Sequence, residues 1–517
     1  MKYEYTEVEE GSRQYDDVDF SHGAPVKAVY VKSNVGYDNG NPYIEALPRP
    51  RNQMECFIAY TKDIPGYNAS KVSSMSDFEK LSEIGLLRKF RCMLPFHPVL
   101  ETQFAMALIT SYRERYQKFQ SGIKIIEENQ EIETGVSLVA NGGAAANSGV
   151  KVLGYSGCGK SSAMEILLSN YPQLIIHESE DMVRFPQIVY LPVVCPANSN
   201  FSALYTSIGI ELDKIVGNTE PVYERIISKC RTLGEKTNKI CEFIEKFGIG
   251  ALILDEIQLL DFKGTKESTF ESFLNIVNRT NVALVAVGTE DAYEKMFPNL
   301  RTSRRTGPLI NANTYCDNTS YFSTIVTSLM KYQWFDEPVK ADSSINEALY
   351  IVTHGIVDRL ISVYMMMQID YVSRFEKPKV DAKYIYEIVD KYFPGVLELL
   401  NKLDDPIAAN TIQEVMDKGR TRADEILEEE IEKAQRIFLQ NANTQEFRDS
   451  ITTRFNVIDM VKDTLEVTGD IFNTTRIEKA VDHVMGLAKN QGASEREIAK
   501  AAYEYLKKGR GDKRTSP

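Results

Sequence analysis

Eight consecutive residues, Gly154-Tyr155-Ser156-Gly157-Cys158-Gly159-Lys160-Ser161, have the spacing G-x-x-x-x-G-K-[ST]. That spacing builds a loop around the phosphates of a nucleotide. Its glycines let the backbone take positive φ and come close to a bulky anion. Successive N–H groups, and the N-terminal end of a helix starting near Lys160, then face the phosphates. Lys160 supplies a point charge to the outer phosphates, and the Ser161 hydroxyl suits a Mg²⁺ ligand. Ser162 continues the segment into the helix. Cys158 occupies a variable position of the loop and reads as filler, not as a redox switch.

Binding phosphate hydrolyses nothing by itself. Further on, Leu252-Ile253-Leu254-Asp255-Glu256 places two carboxylates at the end of an apolar strand. Ligand sites of open α/β sheets lie at that end of the strands. Asp255 can hold Mg²⁺, directly or through water, and Glu256 can orient and deprotonate an attacking water. A later strand ends in Gly288-Thr289, where a hydroxyl can report a γ-phosphate, although a plain strand-end turn would look the same. Then come Arg301, Arg304 and Arg305. They are either a solvated surface or, in an oligomer, a source of arginine to stabilise transition-state charge at a neighbour's site. The nucleotide-binding set is thus Gly154, Tyr155, Ser156, Gly157, Cys158, Gly159, Lys160, Ser161, Ser162 and Asp255. Ser161 and Asp255 are the metal ligands, and the ligands of the site are a nucleotide and Mg²⁺.

Four apolar runs position these groups. They are Val150–Leu153 before the phosphate loop, Ile188–Val194 taken as one β-rich run, Ala251–Leu254, and Val282–Val287. Near-continuous apolar runs suit parallel strands covered on both faces. Helical stretches separate them, so a doubly wound α/β sheet is predicted. From about 320 to 405 only helical spacing remains, as in Leu349, Val352, Leu360 and Ile361, and Met365-Met366-Met367 reads as core. The predicted organisation is an acidic flexible tail (1–25), an N-terminal extension (26–135), the α/β core (136–330), a helical lid (331–405) and a helical C-terminal region with a basic tail (406–517). Within the extension, Asn41–Pro48 reads as a short docked segment. Phe104, Leu108 and Tyr112 share a helix face, with Arg113 and Arg115 read as solvated beside it. A small-residue loop, Asn141–Gly149, precedes the first core strand, and a last helical segment is predicted over 454–508.

Of 517 residues 43% are hydrophobic and 26% charged, ordinary for a globular chain of two to four domains. No apolar run reaches the ~18 residues that span a membrane. The N-terminus lacks the features of a signal peptide. The seven cysteines are scattered, which points to a reducing cytoplasm and away from disulfides or zinc. A net charge of −13 excludes wrapping nucleic acid over the whole surface but leaves room for a narrow basic stripe.

Together these residues resemble the AAA+ ATPases, and more narrowly the TnsC family, the target-selection ATPases of Tn-seven-type bacterial transposons, related to the TniB and MuB-type transposition ATPases. The resemblance covers most of residues 1–405. It rests on Asn41-Pro42-Tyr43-Ile44-Glu45-Ala46-Leu47-Pro48, the phosphate loop, Tyr171-Pro172-Gln173, Leu254-Asp255-Glu256-Ile257-Gln258-Leu259, Gly288-Thr289 and Leu300–Arg305. The phosphate loop and acidic pair are common to the superfamily; the other runs are narrower. The resemblance implies an AAA+ P-loop core with helical lid. It implies ATP binding, a ring or filament homo-oligomer on duplex DNA, and hydrolysis that favours disassembly. The partners it implies are a TnsD or TniQ-type selector and the transposase subunits TnsA and TnsB, with no membrane. By motif, Lys160 and Ser161 bind phosphate and Mg²⁺, Asp255 and Glu256 form the second nucleotide motif, Thr289 is the sensor, and one or more of Arg301, Arg304 and Arg305 is the trans finger. The lid departs from the commoner G-x-x-R pattern: Gly355-Ile356-Val357-Asp358-Arg359 puts Asp358 at the arginine position. Lys263, Lys266 and Arg279 follow the acidic pair and can line a DNA channel; a solvated loop accounts for them equally. The alternatives are another AAA+ machine, such as a loader or remodelling ATPase, and a scaffold without turnover, which the intact Glu256 disfavours.

Overall fold

The computed structural model describes residues 4–7, 14–15, 24–128, 149–179, 182–197, 201–260, 270–290, 307–396, 415, 418, 421, 425–433, 456–465, 474–485 and 493–511. Lys263, Lys266, Arg301, Arg304, Arg305, most of the acidic tail, the loop 141–148 and the basic terminus beyond 511 lie outside the described residues.

Eight strands are described: β1 (Pro25–Lys27), β2 (Gly149–Leu153), β3 (Leu174–Ser179), β4 (Met182–Ile188), β5 (Tyr190–Val194), β6 (Ala251–Asp255), β7 (Ala283–Gly288) and β8 (Leu309–Asn311). Five form a parallel sheet in the order β5-β6-β7-β2-β8. Strands β2 and β7 are buried along their whole length, and β6 is buried up to Asp255. Double-sided burial is why these strands read as unbroken apolar runs and do not alternate. Because all five point the same way, the ends of β2, β6 and β7 share one edge. Leu153 there pairs with Gly288 and Asn311.

Helices cover both faces; α1 (Pro42–Glu45), α2 (Gln53–Tyr60), α3 (Asp77–Ile84) and α7 (Tyr223–Lys229) are short. On one side α6 (Phe201–Val216), α8 (Leu233–Lys246) and α9 (Phe270–Thr280) close a core containing Leu204, Ile208, Ile240, Phe273 and Leu284. The long helix α4 (Phe96–Glu128) packs against β2, β6, β7 and β8, and α5 (Lys160–Leu168) packs against α4 and β7. Phe104, Leu108 and Tyr112 are fully buried on α4. The lid is helical: α10 (Thr319–Leu329), α11 (Ser343–Thr353), α12 (Val357–Ser373) and α13 (Ala382–Tyr392). Met365, Met366 and Met367 are core residues of α12. Among the described residues no single helix is long and apolar enough to cross a membrane.

Several expectations need correction. Ile188–Val194 is not one strand. Ile188 ends β4 and pairs antiparallel with Leu174, whereas Tyr190 opens β5 and pairs parallel with Ala251. The chain changes sheets at Val189, and since both stretches are buried, composition does not mark the change. β4, β3 and β1 form a separate three-stranded sheet absent from the sequence reading, and β8 adds a fifth core strand of only three residues. Nor are Arg113 and Arg115 simply solvated: both are half-buried and bonded within the protein. Arg113 donates through Nε and Nη2 to both carboxylate oxygens of Asp38, at 2.6 and 2.7 Å. Arg115 donates to the carbonyls of Ile249 and Thr280, fastening α4 to the starts of β6 and β7.

The Asn41–Pro48 segment does dock. Asn41 caps the short helix Pro42–Glu45 and its Nδ2 donates to the Tyr112 carbonyl (3.3 Å). Tyr43 stacks on Tyr112 at 5.2 Å between ring centroids.

Residues 76–81 and 425–517 cluster as a second unit. The predicted segment over 454–508 resolves into separate helices at 456–465, Thr474–Met485 and Glu495–Gly511. Val457, Val461, Val481 and Ala502 form part of their shared core.

Two buried histidines make the main unit acid-sensitive. His177 is held between the Tyr30 hydroxyl (Nδ1, 2.8 Å) and Gln187 Oε1 (Nε2, 2.8 Å). His97 Nδ1 accepts from Leu94 N (3.0 Å), with its ring stacked on Tyr60. Burial pushes His177 down to about 4 and His97 to about 3, from 6.5. The unfolded chain therefore binds more protons below pH 6.5. Stability is full above that value and falls as pH drops towards the folded values. The expected loss between pH 7.5 and 5.5 is about 1 kcal/mol per histidine. Thermal unfolding across that range checks it; an unchanged midpoint would contradict the assignment of both rings as neutral.

Candidate functional site

The phosphate loop leaves β2 at Leu153 and enters α5 at Lys160. Gly157 (φ 80°) and Gly159 (φ 93°) are left-handed, which a side chain would resist. Gly159 caps α5 without a side-chain bond, so the first N–H groups of the helix face the cleft. Lys160 Nζ donates to the carbonyls of Gly154 and Tyr155, both at 2.8 Å. Tyr155 N donates to Asn313 Oδ1 (2.7 Å), and Asn313 Nδ2 donates to Glu290 Oε1 (2.8 Å). The loop is thereby tied to the segment after β8 and to the end of β7. Burial pushes the Cys158 thiol up, partly opposed by Lys160, which suits a packing residue better than a reactive one.

Asp255 closes β6. Its Oδ1 accepts the N–H of Glu256 (2.8 Å). Glu256 has φ 54° and ψ 41°, a conformation uncommon for a residue with a side chain and concentrated at functional sites. Gln258 Nε2 donates to Glu256 Oε2, and Gln258 Oε1 accepts from Thr289 N (3.2 Å).

A cleft of about 360 Å³ brings Ser156, Gly157, Gly159, Lys160, Ser161, Ser162, Glu256, Gln258 and Thr289 together. Asp255 faces an adjoining crevice whose lining also includes Ser161 and Glu165. Ser161 lines both and Asp255 only the crevice, where the two offer a hydroxyl and a carboxylate. That oxygen donor set fits Mg²⁺, a hard cation that takes carboxylate and hydroxyl oxygens.

The structure adds a wall that spacing did not reveal. Tyr60, Phe90, Leu94 and His97 from the N-terminal extension line the same cleft as Ile361 and Met365 of the lid, with Arg88 and Arg91. These residues carry no motif, and their only sequence signal is scattered aromatic content in the extension. Asp358 also lines the cleft, and its N–H donates to the Gly157 carbonyl (3.2 Å). Arg359 beside it is buried and is not part of the cleft lining. Arg279 lies at the far end of α9, just before β7 begins, at the opposite edge of the sheet from the cleft. It donates to Asn238 Oδ1 (2.6 Å).

A phosphate loop and an acidic strand end on a five-stranded parallel sheet, with a helical lid, define the AAA+ P-loop fold. In agreement, residues 146–296 match the family model described as AAA domain, a class of nucleotide-hydrolysing ATPases. Among solved structures the chain is similar to the ORC2 protein of Aeropyrum pernix in its ADPNP–ADP complexes, with TM-score 0.29 and 10% identity over 47% of this chain and 61% of that one. The ADP form of the same protein gives TM-score 0.29 and 10% identity over 48% and 63%. The chain thus spans less than two thirds of either ORC2 chain. A search of curated proteins finds no match.

Proposed function

We propose that the chain is an ATP-dependent, DNA-binding regulator of transposition, which assembles as a homo-oligomer on duplex target DNA. In this reading it links a TnsD or TniQ-type selector to the transposase subunits TnsA and TnsB in a bacterial cytoplasm, at the nucleoid when DNA-bound. The observation that carries the enzymatic half is the convergence of Lys160, Ser161, Glu256 and Thr289 on one cleft. Lys160 and the loop N–H groups hold the phosphates, and Glu256 orients and deprotonates the attacking water. Ser161 and Asp255 hold Mg²⁺, which when bound neutralises charge on the phosphate oxygens.

The transposition half rests on the resemblance of Asn41–Pro48 and Leu254–Leu259 to the TnsC family, and on Asn41–Pro48 docking against α4. An acidic chain suits a narrow DNA channel. Few phosphates per subunit need neutralising, by groups such as Lys263 and Lys266, and the effect multiplies around an oligomer; Arg279, at the other edge of the sheet and bonded to Asn238, is not among them. Arg301, Arg304 and Arg305 are the candidates for the charge supplied to a neighbouring subunit's site.

Fluorescence anisotropy of a mixed-sequence duplex tests the proposal. Affinity is expected to rise at least about 10-fold when ATP replaces ADP and to fall steeply with added salt. Equal affinity with ATP, ADP and no nucleotide would leave a loader or remodelling ATPase as the better reading.

A further inference from the structure

The amide of Gln258 occupies an unusual place. It follows β6 on the single turn Ile257–Leu259, between the proposed base and the neighbouring strand. Its nitrogen donates to Glu256 Oε2 and its oxygen accepts from Thr289 N at 3.2 Å. Glycine at 288 makes room for it: a Cβ there would lie 2.7 Å from Gln258 Oε1. An amide can donate to a carboxylate and accept from a backbone N–H at once. A carboxylate in its place would repel Glu256, and Asn falls one methylene short. Glu256 is consequently held twice, at its backbone by Asp255 and at its carboxylate by Gln258, with Oε1 left to take a proton.

We infer that Gln258 is a positioning residue, which aims the Glu256 carboxylate and ties that aim to the end of β7 at Thr289. A movement of Thr289 on sensing the terminal phosphate is passed through one amide to the group that activates water. The inference rests on the proposed ATP hydrolysis and deepens it: Thr289 acts on Glu256 through Gln258.

The test is steady-state ATPase kinetics for wild type, Gln258→Leu and Gln258→Glu, separating kcat from KM, alongside nucleotide affinity by titration. Gln258→Leu keeps the reach and removes the amide; it is expected to lower kcat about 10- to 100-fold. KM and nucleotide affinity stay within about twofold, since no loop contact to phosphate is lost. Gln258→Glu is expected to lower kcat as well, because an ionised carboxylate cannot donate to Glu256. An unchanged kcat in Gln258→Leu would overturn the inference, and so would a kcat loss matched by lost nucleotide affinity. A wild-type chain that binds ATP without turning it over would overturn the proposed hydrolysis and this inference together.

Discussion

Lys160→Ala is expected to weaken ATP binding on the order of 100-fold or more while leaving the fold intact. The ammonium is the one cationic group inside the loop, and a charge-assisted hydrogen bond is worth about 1.5–3 kcal/mol, more than one of which is lost. What the variant loses within the protein is smaller: two bonds to the carbonyls of Gly154 and Tyr155 in a segment still fixed by Asn313. Calorimetric titration with ATP, beside the thermal unfolding midpoint, separates the two effects. If ATP gates assembly, DNA association falls with nucleotide binding. Normal DNA association by Lys160→Ala without nucleotide would remove ATP as the switch.

Glu256→Gln is expected to keep ATP affinity within about twofold and lower kcat by about 10²–10⁴-fold, the range for loss of a general base. The amide matches the carboxylate in size, and its oxygen can still accept from Gln258 Nε2, so the left-handed backbone and the bond from Glu256 N to Asp255 Oδ1 persist. Only basicity goes. In the proposed cycle hydrolysis favours disassembly, so this variant forms long-lived complexes on DNA. Single-turnover hydrolysis and the lifetime of DNA-bound protein are the two readouts. Turnover at the wild-type rate would remove Glu256 from its role.

How much of this was legible before the fold was seen depended on whether the determining contacts were local. The loop from Gly154 to Ser161 needs only neighbours in sequence: a strand before, a helix after and glycines where φ is positive. Asp255 and Glu256 were legible for the same reason, since a buried strand ending in acids has one sensible orientation in a parallel sheet. The rest hangs on distant partners. Arg113 looks solvated until Asp38, 75 residues earlier, is placed beside it. Arg115 looks the same until the carbonyl of Thr280, 165 residues later, arrives. Val189 marks a change of sheet only because Ile188 pairs with Leu174 and Tyr190 with Ala251. The wall of the cleft from Tyr60 to His97 follows from tertiary packing of the extension and has no spacing rule. Gln258 sits in the run Leu254–Leu259, yet its role depends on Gly288 and Thr289 at the end of the next strand.

The most direct measurement is electron microscopy of the full chain mixed with duplex DNA in ATP, ADP or a slowly hydrolysed ATP analogue. The account predicts rings or filaments on DNA with the triphosphate and its analogue, and none with ADP. Oligomers that form with nucleotide but ignore DNA, or DNA complexes that ignore the nucleotide, would contradict it.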